Sequence, residues 1–282
     1  MPLNSQTRNL IALALAEDIG TGDLTAESVV PESATASGTM LLKQPGVISG
    51  IEIVAAVFAT VDPAIRWTPQ ATNGTHYTDL TSLGEVTGPA RSILTAERTA
   101  LNFLQRLSGI ATATATYAAA VAGTSAVVVD TRKTTPGMRV LEKAAVRHGG
   151  GANHRMGLFD GVLIKDNHIA AMGGDAAIGQ IVRRARSLVP HTVRIEIEVA
   201  TLDQLALALQ AGADIIMLDN MDPDTMREAV AITDGRAILE ASGGITLATI
   251  GEIARTGVDL ISVGALTHSS PSLDISLDLT IA

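Results

Sequence analysis

Between residues 126 and 263 the chain repeats one pattern: a short aliphatic or β-branched run ends at a polar residue, then a loop and a helical stretch lead to the next run. This pattern predicts strands that alternate with helices, which is typical of βα units in a parallel sheet. Glycine stands in equivalent contexts before two of the strands, at Gly212 and Gly257, where it suits a left-handed helix C-cap. The predicted strands are residues 126–129, 161–164, 194–199, 214–218, 237–239 and 259–263.

Polar residues follow the predicted strands, and parallel strands end at a common edge, so these residues are expected to lie together. They are Asp130, Arg132, Lys133, Lys165, Glu198, Asp219, Glu240 and Gly264. In a (β/α) barrel this edge carries the active site, and its last loops commonly hold phosphate. Residues 242–244 (SGG) and 264–267 (GALT) would supply free backbone amides there. Six strands favour an incomplete or irregular barrel, with an open three-layer sheet as the alternative.

Residues 149–168 (GGGANHRMGLFDGVLIKDNH) combine glycines, histidines and cations with a short strand of buried type. Seven lysines or arginines lie between residues 131 and 168 against three acids, in a chain whose formal net charge is −9. This local excess of positive charge predicts a polyanionic ligand. A solvated basic face is the alternative for an ordinary charge run, but the glycines and the apolar run disfavour it.

Composition excludes several classes of protein. With 282 residues, 46% of them hydrophobic, the chain could hold one barrel-sized domain or two unequal domains, and two are favoured. The 2% aromatic content predicts an aliphatic core, and the absence of cysteine excludes disulfides and thiolate metal sites. The acidic balance argues against nucleic acid as a partner. Nothing at the start of the sequence has a signal-peptide pattern, so a cytoplasmic location is expected.

Residues 107–129 carry no charge and are long enough to span a membrane. Six of them are serine or threonine, and Gly123 separates an alanine-rich part from a β-branched part. This pattern predicts a buried helix followed by a strand, not a membrane segment.

The first part of the chain has a different pattern. Apolar spacing predicts a helix over residues 7–17, and short β-like runs between turn residues predict a small sheet over residues 34–88. A further predicted helix covers residues 92–107. One of its faces carries Leu94, Arg98, Leu101 and Gln105. A snorkelling side chain and a functional role explain Arg98 on this partly apolar face equally well.

Five strings occur in the order 130–137 (DTRKTTPG), 149–168, 196–199 (EIEV), 217–220 (MLDN) and 240–244 (EASGG). Together they resemble the quinolinate phosphoribosyltransferase family. The resemblance covers nearly the whole chain, from residues 17–25 (EDIGTGDLT) to residues 264–268 (GALTH). It implies an α/β protein with an N-terminal α/β sandwich domain of residues 1–108, to which the C-terminal tail 269–282 belongs. It also implies a C-terminal incomplete (β/α) barrel of residues 109–268 that carries the active site.

The resemblance implies transfer of a phosphoribosyl group from phosphoribosyl pyrophosphate to quinolinate, with decarboxylation, by a Mg²⁺-dependent homodimer of NAD biosynthesis. The residues matched to the quinolinate site are Arg132, His154, Arg155 and Lys165, with Arg98 of the partner subunit matched through the string 95–98 (TAER). Those matched to the phosphoribosyl pyrophosphate site are Lys133, His168, Ser242, Gly243, Gly244, Gly264 and His268. Glu198 and Asp219 are matched to the ribose and the metal, and with Lys133 and Lys165 they are the expected catalytic residues.

These residue types suit the implied chemistry. Quinolinate carries two adjacent carboxylates, and a guanidinium binds a carboxylate through two parallel hydrogen bonds. Carboxylates would stabilise the oxocarbenium-like centre at the ribose, while Lys133 and the metal would neutralise the departing pyrophosphate. Ala200 stands where a polar or acidic residue is expected in this family, which puts little in doubt. A related group associated with molybdate uptake lacks the string 165–167 (KDN) that is present here.

Two other functions are weighed against this resemblance. One is a metal-dependent barrel lyase or hydrolase with His154, His168, Glu198 and Asp219 as ligands, which the neighbouring Arg132, Arg155 and Lys165 disfavour. The other is a non-catalytic phosphate-binding module, which would not need acids and cations at one edge. His76 and His191 have no motif around them and are expected at the surface or in loops, and His148 has no assigned role.

Overall fold

The computed structural model describes residues 3–281 and contains two compact units. The first unit comprises the described residues up to Ala115, Thr134–Gly150 and the described residues from Thr267 onward. The second unit comprises Thr116–Lys133 and Gly151–Leu266. The domain limits at residues 108 and 268 that the family resemblance implies stay a prediction.

The described residues form eleven α-helices, twelve strands and a short 3-10 helix at Asp175–Ala177. The helices are α1 (Ser5–Ile19), α2 (Leu24–Val29), α3 (Ile51–Val61), α4 (Ala90–Ala120), α5 (Arg139–His148), α6 (Asp166–Ala171), α7 (Ile178–Leu188), α8 (Leu202–Ala211), α9 (Pro223–Thr233), α10 (Ile250–Ala254) and α11 (Ala265–His268). The strands are β1 (Thr35–Leu42), β2 (Gly46–Val47), β3 (Arg66–Pro69), β4 (His76–Tyr77), β5 (Ser82–Pro89), β6 (Val127–Val129), β7 (Val162–Ile164), β8 (Ile195–Val199), β9 (Ile215–Asp219), β10 (Ile238–Ser242), β11 (Leu260–Ser262) and β12 (Ile275–Ile281).

The first unit is built on an antiparallel sheet of order β12-β1-β5-β3, with β2 and β4 forming a separate pair. Every second residue of β1 is buried, so one face of this strand is covered. Helix α3 buries Val54, Val57 and Phe58, and the Phe58 ring centroid lies 5.9 Å from that of Trp67 on β3. The predicted N-terminal sheet is confirmed, and it also includes β12 from the far end of the sequence.

Helix α4 joins the predicted helix over residues 92–107 to the predicted buried helix before Gly123, and β6 follows it, which confirms the predicted order of helix and strand. Small residues on its buried face allow close packing: a Cβ atom on Gly109 would lie 2.0 Å from the carbonyl oxygen of Pro271. The hydroxyls of Thr112 and Thr114 donate to carbonyls one turn earlier, both at 2.8 Å, which satisfies these polar groups within the helix. Among residues 3–281, no helix has the length and apolarity needed to cross a membrane.

The second unit is built on six parallel strands in the order β6-β11-β10-β9-β8-β7. From β7 to β11 each strand pairs with the next strand in sequence, and the first strand, β6, pairs with the last, β11. Within the described residues the ring is interrupted only between β6 and β7. There Ala152 forms a bridge to Val129, and its carbonyl accepts from the Asp130 N–H at 3.1 Å. This cyclic order confirms the incomplete barrel, because an open doubly wound sheet reverses its strand order.

Side chains alternate along the barrel strands, so Ile195, Ile197 and Val199 of β8 cover one face while Glu196 and Glu198 project from the other. Residues paired in parallel register project to the same side, and this applies to Glu198 with Met217 and to Met217 with Glu240. The aliphatic positions therefore pack beneath the helices, and the polar positions face the barrel interior. Gly212 ends α8 with φ 76°, as the C-cap pattern predicts.

Candidate active site

A cavity of about 600 Å³ opens at the carboxyl ends of the barrel strands, and its wall consists of residues of the second unit. The structure brings most of the predicted site residues into this wall. They are Arg132, Lys133, His154, Arg155, Lys165, Glu198, Asp219, Ser242, Gly243 and Gly244. The wall also contains Thr131, Leu163, Met217, Asn220, Glu240 and Ser262. Polar ends of separate strands meet here because the strands run parallel around one ring.

The loop after β10 approaches the loop after β9 very closely. Asn220 donates its backbone N–H to the Ser242 carbonyl at 2.9 Å, and a Cβ atom on Gly243 would lie 2.2 Å from the Asn220 side-chain oxygen. Gly243 also has φ 98°, a conformation that side chains other than glycine rarely adopt. Glycine is therefore required at residue 243, and the loop lies at the cavity wall where backbone amides can serve a phosphate group.

Lysine and carboxylate side chains from adjacent strands meet at the cavity. Lys165, directly after β7, places its Nζ atom 2.7 Å from Oε2 of Glu198 on β8. Asp219 ends β9, and its Oδ2 atom accepts a hydrogen bond from the Asn220 side chain at 3.0 Å. Glu198 and Asp219 thus offer carboxylate oxygens to one cavity from neighbouring strands, and oxygen ligands of this kind fit Mg²⁺.

Two arginines bring positive charge into the same wall. Burial lowers the pKa of the Arg155 guanidinium, and the positive charge of Arg132 lowers it further. The Arg155 Nη1 atom donates to the Gly161 carbonyl at 3.0 Å, but the Nε atoms of Arg132 and Arg155 are buried without a hydrogen-bond partner among residues 3–281. A bound anion would satisfy these donors and relieve the repulsion between the guanidinium groups.

Comparison with known proteins identifies the family. The family model described as quinolinate phosphoribosyl transferase, N-terminal domain, matches residues 23–108, and the C-terminal domain model matches residues 110–278. The chain belongs to the quinolinate phosphoribosyltransferase family. This assignment confirms the family resemblance and decides against a metal-dependent lyase and a non-catalytic phosphate-binding module.

Relatives of this family match almost the whole chain. The sequence is 44% identical over 277 residues to a probable nicotinate-nucleotide pyrophosphorylase [carboxylating] of Bacillus subtilis, covering 98% of this chain and 94% of the relative. It is 41% identical over 286 residues to a chloroplastic nicotinate-nucleotide pyrophosphorylase [carboxylating] of Oryza sativa, covering 96% and 76%. The solved nicotinate-nucleotide pyrophosphorylase of Francisella tularensis is similar, with a TM-score of 0.93 and 40% identity over 99% of this chain and 98% of that chain. NadC from Streptococcus pyogenes has a TM-score of 0.94 and 39% identity over 100% and 99%.

The remaining residues matched to the family site lie elsewhere. Arg98 is exposed on α4, and His268 is exposed at the end of α11 with its Nδ1 atom 2.6 Å from Ser269 Oγ. Gly264 lies between β11 and α11. His168 is exposed in α6, where its Nδ1 atom accepts from the Lys165 backbone N–H at 2.9 Å. None of these four residues lines the cavity described above.

Two buried glutamates, Glu196 and Glu240, were assigned no role from the sequence, although Glu240 was predicted at this edge of the barrel and lines the cavity. Glu196 and Glu240 are 4% and 1% exposed, and their Oε2 atoms lie 2.9 and 3.8 Å from Nε2 of His154. The sequence contained a signal for both, because strand alternation places Glu196 on the face of Glu198 and Glu240 follows a predicted strand. Neither residue received a role, since alternation identifies a face but not the groups across the barrel.

We expect Glu240→Gln to change the pH dependence of stability. Burial and the negative charge of Glu196 raise the pKa of Glu240 from its ordinary 4.5 to about 7. Between these values the folded protein keeps a proton that the unfolded chain loses, so its free energy of unfolding falls as the pH rises. Glutamine has no such proton. Between pH 4.5 and a pH above 7, the free energy of unfolding of the variant should therefore rise by about 3 kcal/mol relative to that of wild type.

Urea unfolding of wild type and Glu240→Gln at several pH values between 4.5 and 8 would measure this difference. Glu228→Gln, at an exposed position on α9, controls for the chemical change itself. If the free energies of unfolding of wild type and Glu240→Gln differ by the same amount at every pH, the raised pKa of Glu240 is contradicted.

A second buried charge cluster lies in the first unit. Glu142 on α5 accepts hydrogen bonds from Arg106 Nη2 at 3.0 Å, from the Thr135 N–H at 3.0 Å and from the Thr135 hydroxyl at 2.8 Å. Arg106 also donates to the carbonyls of Ser270, at 2.9 Å, and Thr267. These bonds hold part of the DTRKTTPG string. Neither charged residue was predicted to be functional, because charged residues in helices are ordinarily exposed.

Three histidines lie outside the family motifs. His76 and His191 are exposed, as predicted. His148 is half-buried, with its Nδ1 atom 2.8 Å from Ser49 Oγ, and burial lowers its pKa. His148 is therefore neutral at pH 7 and contributes to packing in the first unit.

Proposed function

We propose that this protein transfers the phosphoribosyl group of phosphoribosyl pyrophosphate to quinolinate and decarboxylates the product, giving nicotinate mononucleotide, pyrophosphate and carbon dioxide. The observation that carries this proposal is the single cavity in which arginines, lysines and two strand-end carboxylates converge. The names of the relatives agree with it, since they are nicotinate-nucleotide pyrophosphorylases [carboxylating] or quinolinate phosphoribosyltransferases [decarboxylating]. An enzyme of this kind is a pentosyltransferase.

The positively charged side chains of the cavity would bind quinolinate. Its two carboxylates stand on adjacent ring carbons, so they need several donors that converge from one side. The buried Nε atoms of Arg132 and Arg155 lack partners among the described residues, and a guanidinium can bind a carboxylate through two parallel hydrogen bonds. Lys165 adds a point charge from the end of β7.

Phosphoribosyl transfer places positive charge on the ribose and negative charge on the departing pyrophosphate. Glu198 and Asp219 line the same cavity and would stabilise the oxocarbenium-like centre as the bond to pyrophosphate breaks. Lys133 and the loop of residues 242–244 would hold the phosphate groups. The quinolinate ring nitrogen is itself the nucleophile, so no side-chain nucleophile is needed.

Decarboxylation follows from the charge on the ring nitrogen. Once ribosylated, that nitrogen is positive, and the adjacent carboxylate leaves as carbon dioxide while its bonding electron pair stays on the ring carbon. The neighbouring positive nitrogen stabilises this carbanion, which then takes up a proton. Exclusion of water from the cavity favours this step, because it consumes charge.

Magnesium is the metal we propose for this site, with Glu198 and Asp219 as its protein ligands. When bound, Mg²⁺ would supply positive charge that neutralises the pyrophosphate leaving group. The pair of strand-end carboxylates supports this choice, because magnesium prefers oxygen ligands.

We further propose that the protein is a homodimer in which Arg98 of the partner subunit completes the quinolinate site. The exposed position of Arg98 on α4 supports this proposal, since its guanidinium is accessible to a second chain. The match of residues 95–98 to the family string supports it as well.

The proposed function predicts strong selection for a dicarboxylate. Nicotinate lacks the second carboxylate and would leave cations of the cavity unpaired, which is costly in a buried site. We expect kcat/KM for nicotinate to be at least about 100-fold lower than for quinolinate. Pyrophosphate release from phosphoribosyl pyrophosphate, measured with each acid in turn, tests this expectation. Equal values for the two acids would contradict the proposal and indicate a simple nicotinate transferase.

A further inference from the structure

The segment that carries His154 and Arg155 is the one that fills the gap between β6 and β7. It is anchored at its start by Asp130, whose two carboxylate oxygens accept from the Asn153 side chain at 2.6 Å and from the His154 N–H at 2.9 Å. Because Ala152 only bridges to β6 and the barrel is interrupted here, no continuous strand ladder fixes the segment. Side-chain contacts must therefore determine where the two residues point.

Both ring nitrogens of His154 are engaged within the protein. Nδ1 accepts the backbone N–H of Arg155 at 2.7 Å, so in the neutral ring the proton lies on Nε2. Nε2 faces Oε2 of Glu196 at 2.9 Å, with Oε2 of Glu240 at 3.8 Å. The imidazole thus links a buried carboxylate on β8 to the main chain of Arg155.

His154, Arg155 and Glu240 also separate two cavities. They belong to the wall of the cavity of about 600 Å³ at the carboxyl ends of the strands and to the wall of a second cavity of about 420 Å³. The second cavity lies at the amino ends of the strands, because Val162, Ile215 and Leu260 in its wall are the first residues of β7, β9 and β11. Because these side chains border open space in both cavities, packing restrains them less than in a filled core, and hydrogen bonds contribute to holding them.

The burial of Glu196 and Glu240 is energetically unfavourable, which suggests a functional reason for these two residues. Oε1 of Glu196 and Oε1 of Glu240 are buried and have no hydrogen-bond partner among residues 3–281. Burying carboxyl groups with unsatisfied oxygens is unfavourable whether or not they are ionised, and an apolar pair would pack here without that cost. Their shared neighbour is the His154 ring. The charge of Arg132 lowers the pKa of the Arg155 guanidinium, and the charge of Glu196 opposes this effect.

We propose that Glu196, with Glu240, is a positioning residue for substrate binding: it fixes the His154 ring, which fixes the main chain of Arg155 and so aims its guanidinium at a substrate carboxylate. This inference rests on the proposed function, because it takes quinolinate as the ligand of Arg155. Glu196 acts through His154 and does not itself contact the substrate.

The variant that tests this role is Glu196→Leu, which keeps a similar volume and removes the acceptor for His154 Nε2. We expect KM for quinolinate to rise about 10-fold or more, while KM for phosphoribosyl pyrophosphate and kcat change less than about 3-fold. Glu196→Gln keeps an acceptor oxygen, so its KM for quinolinate should stay within about 3-fold of wild type. Glu196→Leu with an unchanged KM for quinolinate would overturn the proposal, as would equal rises in KM for both substrates.

Ile197→Val is the matched control. Ile197 is buried next to Glu196 on β8 but faces away from His154, and removal of one methyl group perturbs the strand without touching the network. It should lower Tm slightly and leave KM for quinolinate unchanged. A similar rise of KM in Ile197→Val would mean that the effect of Glu196→Leu reflects general loosening of the strand, which would overturn the positioning role.

A second readout needs no substrate. The imidazole nitrogens of His154 can be observed by NMR in ¹⁵N-labelled protein and assigned by their loss in His154→Gln. In wild type and in Glu196→Gln we expect a protonated, hydrogen-bonded Nε2. In Glu196→Leu this hydrogen bond should be absent. If Glu196→Leu does not fold, wild type and Glu196→Gln still test the proposal. An Nε2 atom of His154 that carries no proton in both proteins would overturn it. Failure of wild type to use quinolinate would instead refute the proposed function. The protonation of His154 Nε2 would still test whether Glu196 holds the His154 ring.

Discussion

Glu198→Gln is expected to lower kcat about 100-fold or more while the Kd for quinolinate changes less than about 3-fold. Glu198 lines the cavity beside Asp219, where its charge would act on the positive ribose centre and on the metal and not on the negatively charged quinolinate. Glutamine keeps the shape and one acceptor oxygen for Lys165, which lies 2.7 Å from Glu198 in the wild type. Loss of the charge should therefore affect the transition state far more than the bound substrate.

Single-turnover rates and titration calorimetry with quinolinate separate these two quantities. Asp219→Asn should behave in the same way, because Asp219 occupies the equivalent end of the adjacent strand. Glu228→Gln on α9, exposed and in the same unit, is the matched control and should leave both quantities unchanged. A Glu198→Gln protein that keeps its turnover and loses quinolinate affinity would show that Glu198 belongs to the binding site instead.

Mixing two inactive variants tests the proposed dimer. If each site takes Lys165 from one chain and Arg98 of the partner subunit, Arg98→Ala and Lys165→Ala should each be nearly inactive alone. A heterodimer of the two has one site with both groups and one site with neither. Random re-association of equal amounts makes half of the dimers heterodimers, so about a quarter of normal activity should return by isologous symmetry.

The measurement is activity after co-refolding, with each variant refolded alone as a control and heterodimers identified by differential tags. An Arg98 that only packs within its own chain, or that serves its own chain's site, cannot be supplied by a partner. Heterodimers without recovered activity would therefore remove Arg98 from the partner's site. Arg66→Ala, at an exposed position on β3 of the same unit, controls for loss of a surface positive charge.

Several features of the fold were predictable from local sequence. Runs of aliphatic and β-branched residues that end at polar residues predicted β6 to β11, because a strand buried on both faces needs continuous apolar residues. The boundaries were less accurate: β10 extends to Ser242, beyond the predicted end at residue 239, since the register of hydrogen bonds with β9 continues there. The helix over residues 92–107 and the buried helix before Gly123 were predicted separately, and the structure joins them into the single helix α4.

The sequence by itself determined the family and the identity of most cavity residues, because the ordered motifs lie at strand ends and parallel strands end on one side. Only the tertiary structure decided that β6 pairs with β11, that Ala152 bridges the gap beside β7, and that the His154 ring meets Glu196 and Glu240. Those contacts join residues that are far apart in sequence. Their distances depend on sheet register and curvature, and local periodicity specifies which face a side chain takes but not what it meets across the barrel.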